Sequence, residues 1–345
     1  MDTDEIGVAI VGHGAMGLTH LAAWSFVENC RVEAVVGRDP GKRRKVEKAF
    51  KVKAYTDLNQ VLENDEIDVV DICTPTHTHA AQAIMAMKAG KDVLLEKPMS
   101  LTLGEADDMI TAAKENKAKL MVAQVVRFFP EYMKAKQMVD AGMVGEPVIG
   151  RAYRAAPLPI RGRWATDKKK SGGVILDLSI HDIDFMLWCY SDAVESVYAK
   201  LQTSINRGRT TADLALINLK FSGGGIALVE GSWAHPRAFP FTTRLELSGT
   251  RGTIAFDGQS SVPVKIIDDE STATFSPEAL RGQAASLPFA VDPFYREIRH
   301  FVDCIREDRV PMTSGEEARK GLEVALAAMR SAATNEVVEL PLEEA

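Results

Sequence analysis

Short apolar runs alternate with segments of helical period over the first 125 residues. Ile6–Val11, Val32–Val36, Ile67–Cys73, Val93–Glu96 and Leu120–Gln124 are β-branched or otherwise apolar runs, the lengths expected of buried strands. Between them, Met16–Phe26, Gly41–Phe50, Thr78–Ala89 and Thr102–Lys117 have helical spacing. Asp39-Pro40 supplies an N-cap and a first helical position for the second of these helices, and Gly90 closes the third. Val52–Tyr55 is too short to assign. Near-continuous apolar strands separated by helices predict a parallel sheet covered on both faces.

The rhythm changes after about residue 125. Helices are expected at Tyr132–Ala141 and Ile175–Tyr190, with a strand at Val148–Ala155. A series of strands follows at Val194–Thr203, Ala212–Phe221, Ile226–Trp233, Thr242–Ser248, Thr253–Phe256 and Val264–Ile267, joined by turns such as Ser222–Gly225 and Gly249–Gly252. Strands without helical crossovers predict a large, mainly antiparallel sheet. Helices over Pro293–Arg306 and Glu316–Thr334 close the chain. The fold class is therefore α/β: a doubly wound N-terminal sheet over 1–125, then an α+β domain over 126–345 with a large open sheet. The last helix is expected to pack back on the first domain.

At 345 residues the chain exceeds what one core usually supports, which agrees with two domains. Apolar residues at 46% and charged residues at 26% are ordinary for a globular protein. The net charge of −7 argues against a nucleic-acid partner, which needs a basic face. Cys30, Cys73, Cys189 and Cys304 lie far apart and read as reduced thiols. No apolar run approaches the ~20 residues of a membrane span, and the acidic start, Met1–Glu5, lacks the pattern of a signal peptide. A cytoplasmic protein is expected.

Chemistry enters with Gly12-His13-Gly14-Ala15-Met16-Gly17, a GxGxxG that follows a strand and opens a helix. Its glycines permit a tight turn, close approach of a pyrophosphate and close strand–helix packing, and the helix N-terminus offers free N–H groups to phosphates. Roughly 20 residues on, where a ribose contact is expected, stand Arg38 and Asp39. Arg38 favours the 2′-phosphate of NADP, whereas Asp39 would serve NAD. Lys42, Arg43 and Arg44 extend Arg38 into a basic cluster that could join in holding the 2′-phosphate, though Lys42–Lys45 read better as the solvated face of a helix.

Two further segments carry candidate acid–base groups. Glu96-Lys97-Pro98 ends a predicted parallel strand, on the side where open α/β sheets bind ligands; from position alone, a surface lysine in a turn is equally compatible. In Gly172–Asp184, Asp177, His181 and Asp184 are spaced i, i+4 and i+7, so on an α-helix they share one face. A histidine flanked by two carboxylates on an otherwise apolar helix reads as a positioned acid–base group.

Together these stretches resemble the glucose–fructose oxidoreductase / inositol dehydrogenase (Gfo/Idh/MocA) family. Cys73-Thr74-Pro75-Thr76 with His79, Arg127-Phe128-Phe129-Pro130, Glu317-Ala318-Arg319 and Glu336-Val337-Val338 match as well. The resemblance implies catalytic roles for Lys97, Asp177 and His181. With the motif readings above, cofactor contacts are expected from Gly12, Gly14, Ala15, Met16, Gly17, Arg38, Asp39, Thr74, Pro75, His79, Glu96 and Lys97. The reaction implied is transfer of hydride between NADP or NAD and a secondary hydroxyl or ketone of a sugar, inositol or related polyol. A homodimer or homotetramer through the second sheet is implied too. Gly37-Arg38 departs from the inositol-dehydrogenase pattern, which has an acid there.

Weaker grounds, polar or aromatic residues near loops, nominate Arg127, Tyr153, Arg163, Trp164, Asp184 and His235 for substrate contacts. Residues 161–164 with Lys168–Lys170 read either as a loop over the site or as solvated surface. No metal-ligand set is apparent; His77 and His79 near a helix start are weak candidates. Rival readings are a dinucleotide-binding sugar sensor, a redox-neutral NAD-dependent glycoside hydrolase and an imine or biliverdin-type reductase.

Overall fold

The computed structural model describes residues 5–159, 164–204, 211–259, 264–267, 272–275 and 292–343. The chain divides into two compact units. Unit 1 consists of the described residues of Met1–Phe128 and Leu287–Arg319, and unit 2 of those of Phe129–Ser286 and Lys320–Ala345.

Unit 1 is built on β1 (Ile6–Val11), α1 (Ala15–Trp24), β2 (Cys30–Val36), α2 (Pro40–Phe50), β3 (Lys53–Tyr55), the short α3 (Asn59–Leu62) and β4 (Val69–Ile72). It continues with α4 (His79–Lys88), β5 (Asp92–Glu96), α5 (Leu103–Glu115) and β6 (Leu120–Ala123). The six strands are all parallel, in the order β3-β2-β1-β4-β5-β6. The chain reverses its direction of travel across the sheet between β1 and β4, and ligands of open α/β sheets bind outside the carboxyl ends at such a point. Every residue of β1 and β4 is buried, as expected of strands covered on both faces. Tyr55 and its neighbours do form a strand, three residues long, held by β2.

Unit 2 starts with α6 (Pro130–Asp140), β7 (Pro147–Ala155) and the short α7 (Lys168–Ser171). A π-helical turn over Ile175–Ser179 then leads into α8 (Ile180–Tyr190). Strands follow at β8 (Val194–Gln202), β9 (Leu214–Phe221), β10 (Ile226–Ser232), β11 (Thr242–Gly249), β12 (Thr253–Asp257), β13 (Val264–Ile267) and β14 (Thr272–Phe275). The chain closes with α9 (Pro293–Arg306), α10 (Gly315–Thr334) and β15 (Val338–Glu339). Among the described residues the second sheet has nine strands, in the order β14-β13-β12-β11-β7-β10-β9-β8-β15. Its pairings are antiparallel except β10 with β7. The alternation of buried and open positions along β9 and β10 gives the sheet one packed and one open face.

Helix α9 belongs to unit 1, where Ile298, Phe301 and Val302 join the core formed by β1, Leu21 and Trp24. Helix α10 begins in unit 1 and continues in unit 2. Among the described residues no helix is long and apolar enough to cross a membrane.

Candidate functional site

The GxGxxG turn is shaped by the close approach of strand, turn and helix. Gly12 has φ +113°, and a Cβ there would lie 2.4 Å from the carbonyl oxygen of Cys73. A Cβ on Gly17 would lie 2.0 Å from the oxygen of Gly12, so α1 sits directly against the turn. Gly14, by contrast, faces open space. It is the N-cap of α1, with no side-chain cap and no acidic residue in the first turn. The free N–H groups of that helix end thus face outward beside exposed Gly14 and Ala15, an arrangement suited to a pyrophosphate.

At the end of β2, Asp39 is committed to the backbone: its Oδ1 accepts from Gly41 N–H (2.8 Å) and Lys42 N–H (2.9 Å), capping α2. These bonds hold its carboxyl below the usual range. Arg38 is exposed. Arg43, expected on a solvated face, instead turns back, and its Nη1 donates to the carbonyls of Gly37 (2.9 Å) and Arg38 (3.1 Å). His13 packs its ring on Gly37, where a Cβ would come within 2.1 Å of it. Partial burial, helped by the charge of Lys42, lowers the pKa of this imidazole. The sequence does not nominate His13, and it nominates Arg43 only as part of the basic cluster after Arg38. The one signal for His13 is its place inside the glycine motif, and a further one for Arg43 is its place in the first turn of α2.

After β4 the loop is braced by His79. Its Nδ1 lies 2.9 Å from the carbonyl of Pro98 and its Nε2 2.8 Å from that of Thr74. The ring is 1% exposed and stands between the Thr74-Pro75 loop and the Glu-Lys-Pro turn, where a neutral imidazole donates to one of the two carbonyls. Desolvation lowers its pKa against the pull of the two carbonyls. The Thr74 hydroxyl donates to Gln82 Oε1 (2.6 Å) and accepts from Thr78 (2.9 Å).

Lys97 is half-buried immediately beyond the carboxyl end of β5. Glu96 points inward: its Oε2 accepts from the Lys97 N–H (3.0 Å) and its Oε1 lies 3.2 Å from His20 Nε2. Arg127, expected to reach substrate, is 2% exposed and donates through Nη1 to the carbonyl of Met312 (3.1 Å). That contact makes it a structural tie within unit 1, because a buried guanidinium needs internal acceptors.

In unit 2, Asp177 lies within the π-helical turn Ile175–Ser179, and His181 in the first turn of α8. Bonding of i to i+5 widens the turn, so residues four apart do not stack as on a regular α-helix, which alters the expected shared face. Such turns often mark functional sites. Asp177 is half-buried, whereas His181, Asp182 and Asp184 are all buried. The expected polar stripe is therefore a helix packed on most sides, and Asp184, at 1% exposure, is a core residue of this unit. Asp182 pairs with Arg154, with Nε to Oδ2 and Nη2 to Oδ1 both at 2.8 Å.

Tyr153 and His235 do come together: the hydroxyl lies 3.4 Å from His235 Nε2, and the imidazole stacks on Phe239 with ring centroids 4.0 Å apart. The register aligns Tyr153 with Glu230 on one side and Arg244 on the other. The Arg244 guanidinium lies 5.6 Å from the Tyr153 ring centroid. Burial raises the pKa of Glu230, against the charge of His235. Trp164 is half-buried in a turn. Arg163 lies outside the described residues. Lys168–Lys170 are exposed on α7, which Asp167 caps.

Known proteins give this geometry a context. Residues 6–124 match the model described as "Oxidoreductase family, NAD-binding Rossmann fold", and residues 132–255 match the Gfo/Idh/MocA C-terminal domain. The chain is 27% identical over 331 residues to myo-inositol 2-dehydrogenase of Thermotoga maritima, covering 94% of this chain and 95% of that one. It is 28% identical over 343 residues to D-apiose dehydrogenase of Paraburkholderia graminis, covering 98% and 90%. The crystal structure of a putative myo-inositol dehydrogenase from Sinorhizobium meliloti superposes with a TM-score of 0.82 at 25% identity, covering 97% of this chain and all of that one. With two domains of one family matched in order and relatives alike over nearly the full length, the chain belongs to the Gfo/Idh/MocA family of oxidoreductases and carries its NAD-binding Rossmann domain.

Proposed function

We propose that the protein is a nicotinamide-dependent dehydrogenase or reductase acting on a secondary hydroxyl or the matching ketone of a sugar, inositol or related polyol. One observation carries this reading: the uncapped helix end at Gly14 and the half-buried Lys97 both stand at the carboxyl edge of the same parallel sheet. The names of the relatives, an inositol and an apiose dehydrogenase, support the substrate class.

The Gly12–Gly17 turn would hold the pyrophosphate, with the Thr74-Pro75 loop and the Glu96-Lys97 turn toward the nicotinamide. The bound nicotinamide supplies the two-electron redox chemistry. Lys97 Nζ hydrogen-bonds the reacting oxygen and stabilises negative charge as it develops. His181 takes the hydroxyl proton in oxidation and returns it in reduction, an imidazole being suited to both near neutrality. Asp177 orients that exchange or binds a neighbouring hydroxyl. Tyr153 and His235 are candidates for further hydroxyl contacts, as is Trp164. Unit 1 thus serves the cofactor and unit 2 the substrate.

NADP is the preferred cofactor in this proposal. Asp39 is already engaged in capping α2, while Arg38 is exposed and Arg43 is fixed beside it. A charge-assisted bond to a phosphate contributes about 1.5–3 kcal/mol. Self-association as a dimer or tetramer would use the open face of the nine-stranded sheet, where Leu216, Ile226 and Leu228 are exposed. The testing experiment is a nicotinamide-absorbance assay with NAD and NADP separately, against inositols, aldoses, anhydrosugars and sugar acids, with the matching ketones in reverse. Turnover on any polyol supports the class. Clear cofactor binding without turnover on any of them contradicts it.

A further inference from the structure

The interior of unit 1 holds a set of ionisable side chains that the chemistry above does not use. Asp71, in the middle of β4 and fully buried, accepts from Trp24 Nε1 (2.7 Å), from His20 Nδ1 (2.9 and 3.1 Å to its two oxygens) and from the Cys73 thiol (3.4 Å). His20, on α1 and also fully buried, has its Nδ1 committed to Asp71 and presents Nε2 to Glu96 Oε1 at 3.2 Å. The other oxygen of Glu96 receives the Lys97 N–H. Asp71, His20, Glu96 and the Lys97 backbone thus form a continuous series that ends at the strand terminus.

Burying such groups is costly, and well-packed apolar residues of similar volume are often as stable or more so. The neighbouring positions of these strands, Val69, Val70, Ile72, Leu94 and Leu95, are apolar and fully buried, so packing alone does not call for polar groups here. A series of this kind instead fixes geometry, because each close contact in it constrains the next group. Desolvation is the largest single influence and works to discharge His20, but the charges and hydrogen bonds of Asp71 and Cys73 together outweigh it and raise the imidazole pKa well above its ordinary value. The favoured cation stands 3.2 Å from Glu96 Oε1 as an ion pair.

We propose that His20, fixed by Asp71 and Trp24, is a positioning residue for Lys97: it orients the Glu96 carboxylate that holds the Lys97 N–H, and so sets where the lysine leaves the strand end. The proposal rests on the acid–base reading of Lys97. Misplacing a reacting group by about 1 Å can cost on the order of 10²-fold in rate, so His20→Leu is expected to lower kcat about 10- to 100-fold. The dissociation constant of the cofactor should stay within about twofold, since no phosphate contact is touched.

A double-mutant cycle separates positioning from general support of the fold. Single-turnover rates are measured in the parent, His20→Leu, Lys97→Ala and the double variant, with thermal unfolding recorded for each. If His20 acts through Lys97, its loss costs rate only while the lysine is present, and the double variant matches Lys97→Ala. Should His20→Leu not fold, the near-isosteric Glu96→Gln replaces it in the same cycle. Equal losses from His20→Leu with and without Lys97 would overturn the positioning role. Full activity of Lys97→Ala would instead overturn the acid–base reading, and the two failures are distinguishable.

Discussion

Two buried charge clusters, one in each unit, are built in opposite ways. In unit 2, Arg154 and Asp182 form one two-pronged pair between β7 and α8, joined by the Tyr132 hydroxyl at 3.3 Å from Arg154 Nη2. One cation meets one anion, and Asp182 raises the pKa of Arg154 against the effect of burial. In unit 1 the buried groups are uneven in number: Asp71, Glu96 and Glu297 surround a single histidine, His20. Glu297 is shifted toward its neutral form. Burial first, then the charges of Glu96 and Asp71, push its pKa well above the carboxylate range, while His20 pulls the other way. A balanced pair closes on itself and serves packing. The unbalanced group runs outward along β5 to the backbone N–H of Lys97.

The comparison breaks first at Lys97 and His181. Replacing either with Ala should lower turnover by ~10²–10⁴ while cofactor binding persists, as expected for removal of an acid–base group; steady-state kinetics beside a cofactor titration would read this. Turnover within a few-fold of the parent would remove these residues from the chemistry. The pair in unit 2 should behave in reverse. Asp182→Leu strands a buried guanidinium and should cost about 3–5 kcal/mol in urea unfolding, and the double variant Arg154→Met/Asp182→Leu should recover most of it.

Smaller effects sharpen the contrast. Arg38→Ala should lower kcat/KM with NADP roughly 10-fold or more and leave NAD nearly unchanged, consistent with a lost charge-assisted bond. An equal loss with both cofactors would assign Arg38 to something other than the 2′-phosphate. The least effect is expected from Glu297→Gln, read as thermal unfolding against pH. Because folding raises the pKa of Glu297, its contribution is fully present below the ordinary carboxylate range and is lost as pH climbs toward its raised folded value. His20, also raised, gives the same direction above about 6.5. The neutral amide removes the Glu297 part, so the variant should gain at least about 2 °C relative to the parent at pH 8 and little at pH 5.

Periodicity in the sequence locates most strands and helices of both sheets but not the four-residue α3, α7 and β14, because a buried parallel strand and a half-buried antiparallel one leave different apolar patterns only over longer runs. β3 and β15, of three and two residues, exist only through pairing with β2 and β8, and so leave no pattern to read. The π-helical turn over Asp177 is invisible for a related reason: the same residues are compatible with α or π bonding, and tertiary packing decides. Asp184 and Arg127 attract a substrate-contact reading because a sequence does not reveal internal partners such as the Met312 carbonyl. The glycine motif and Glu-Lys-Pro were legible because their chemistry depends on backbone position. His20 and Asp71, about 50 residues apart, matter only through a contact that the folded sheet creates.

The most direct test of the central claim follows the hydrogen itself. The protein would be incubated with oxidised NADP or NAD and a series of inositols and aldoses carrying deuterium at the carbinol carbons, and the mass of the reduced nicotinamide measured. The account predicts one deuterium per reduced cofactor with at least one of these polyols, and loss of that transfer in Lys97→Ala and His181→Ala. Cofactor that binds yet stays oxidised and unlabelled with every polyol would contradict it.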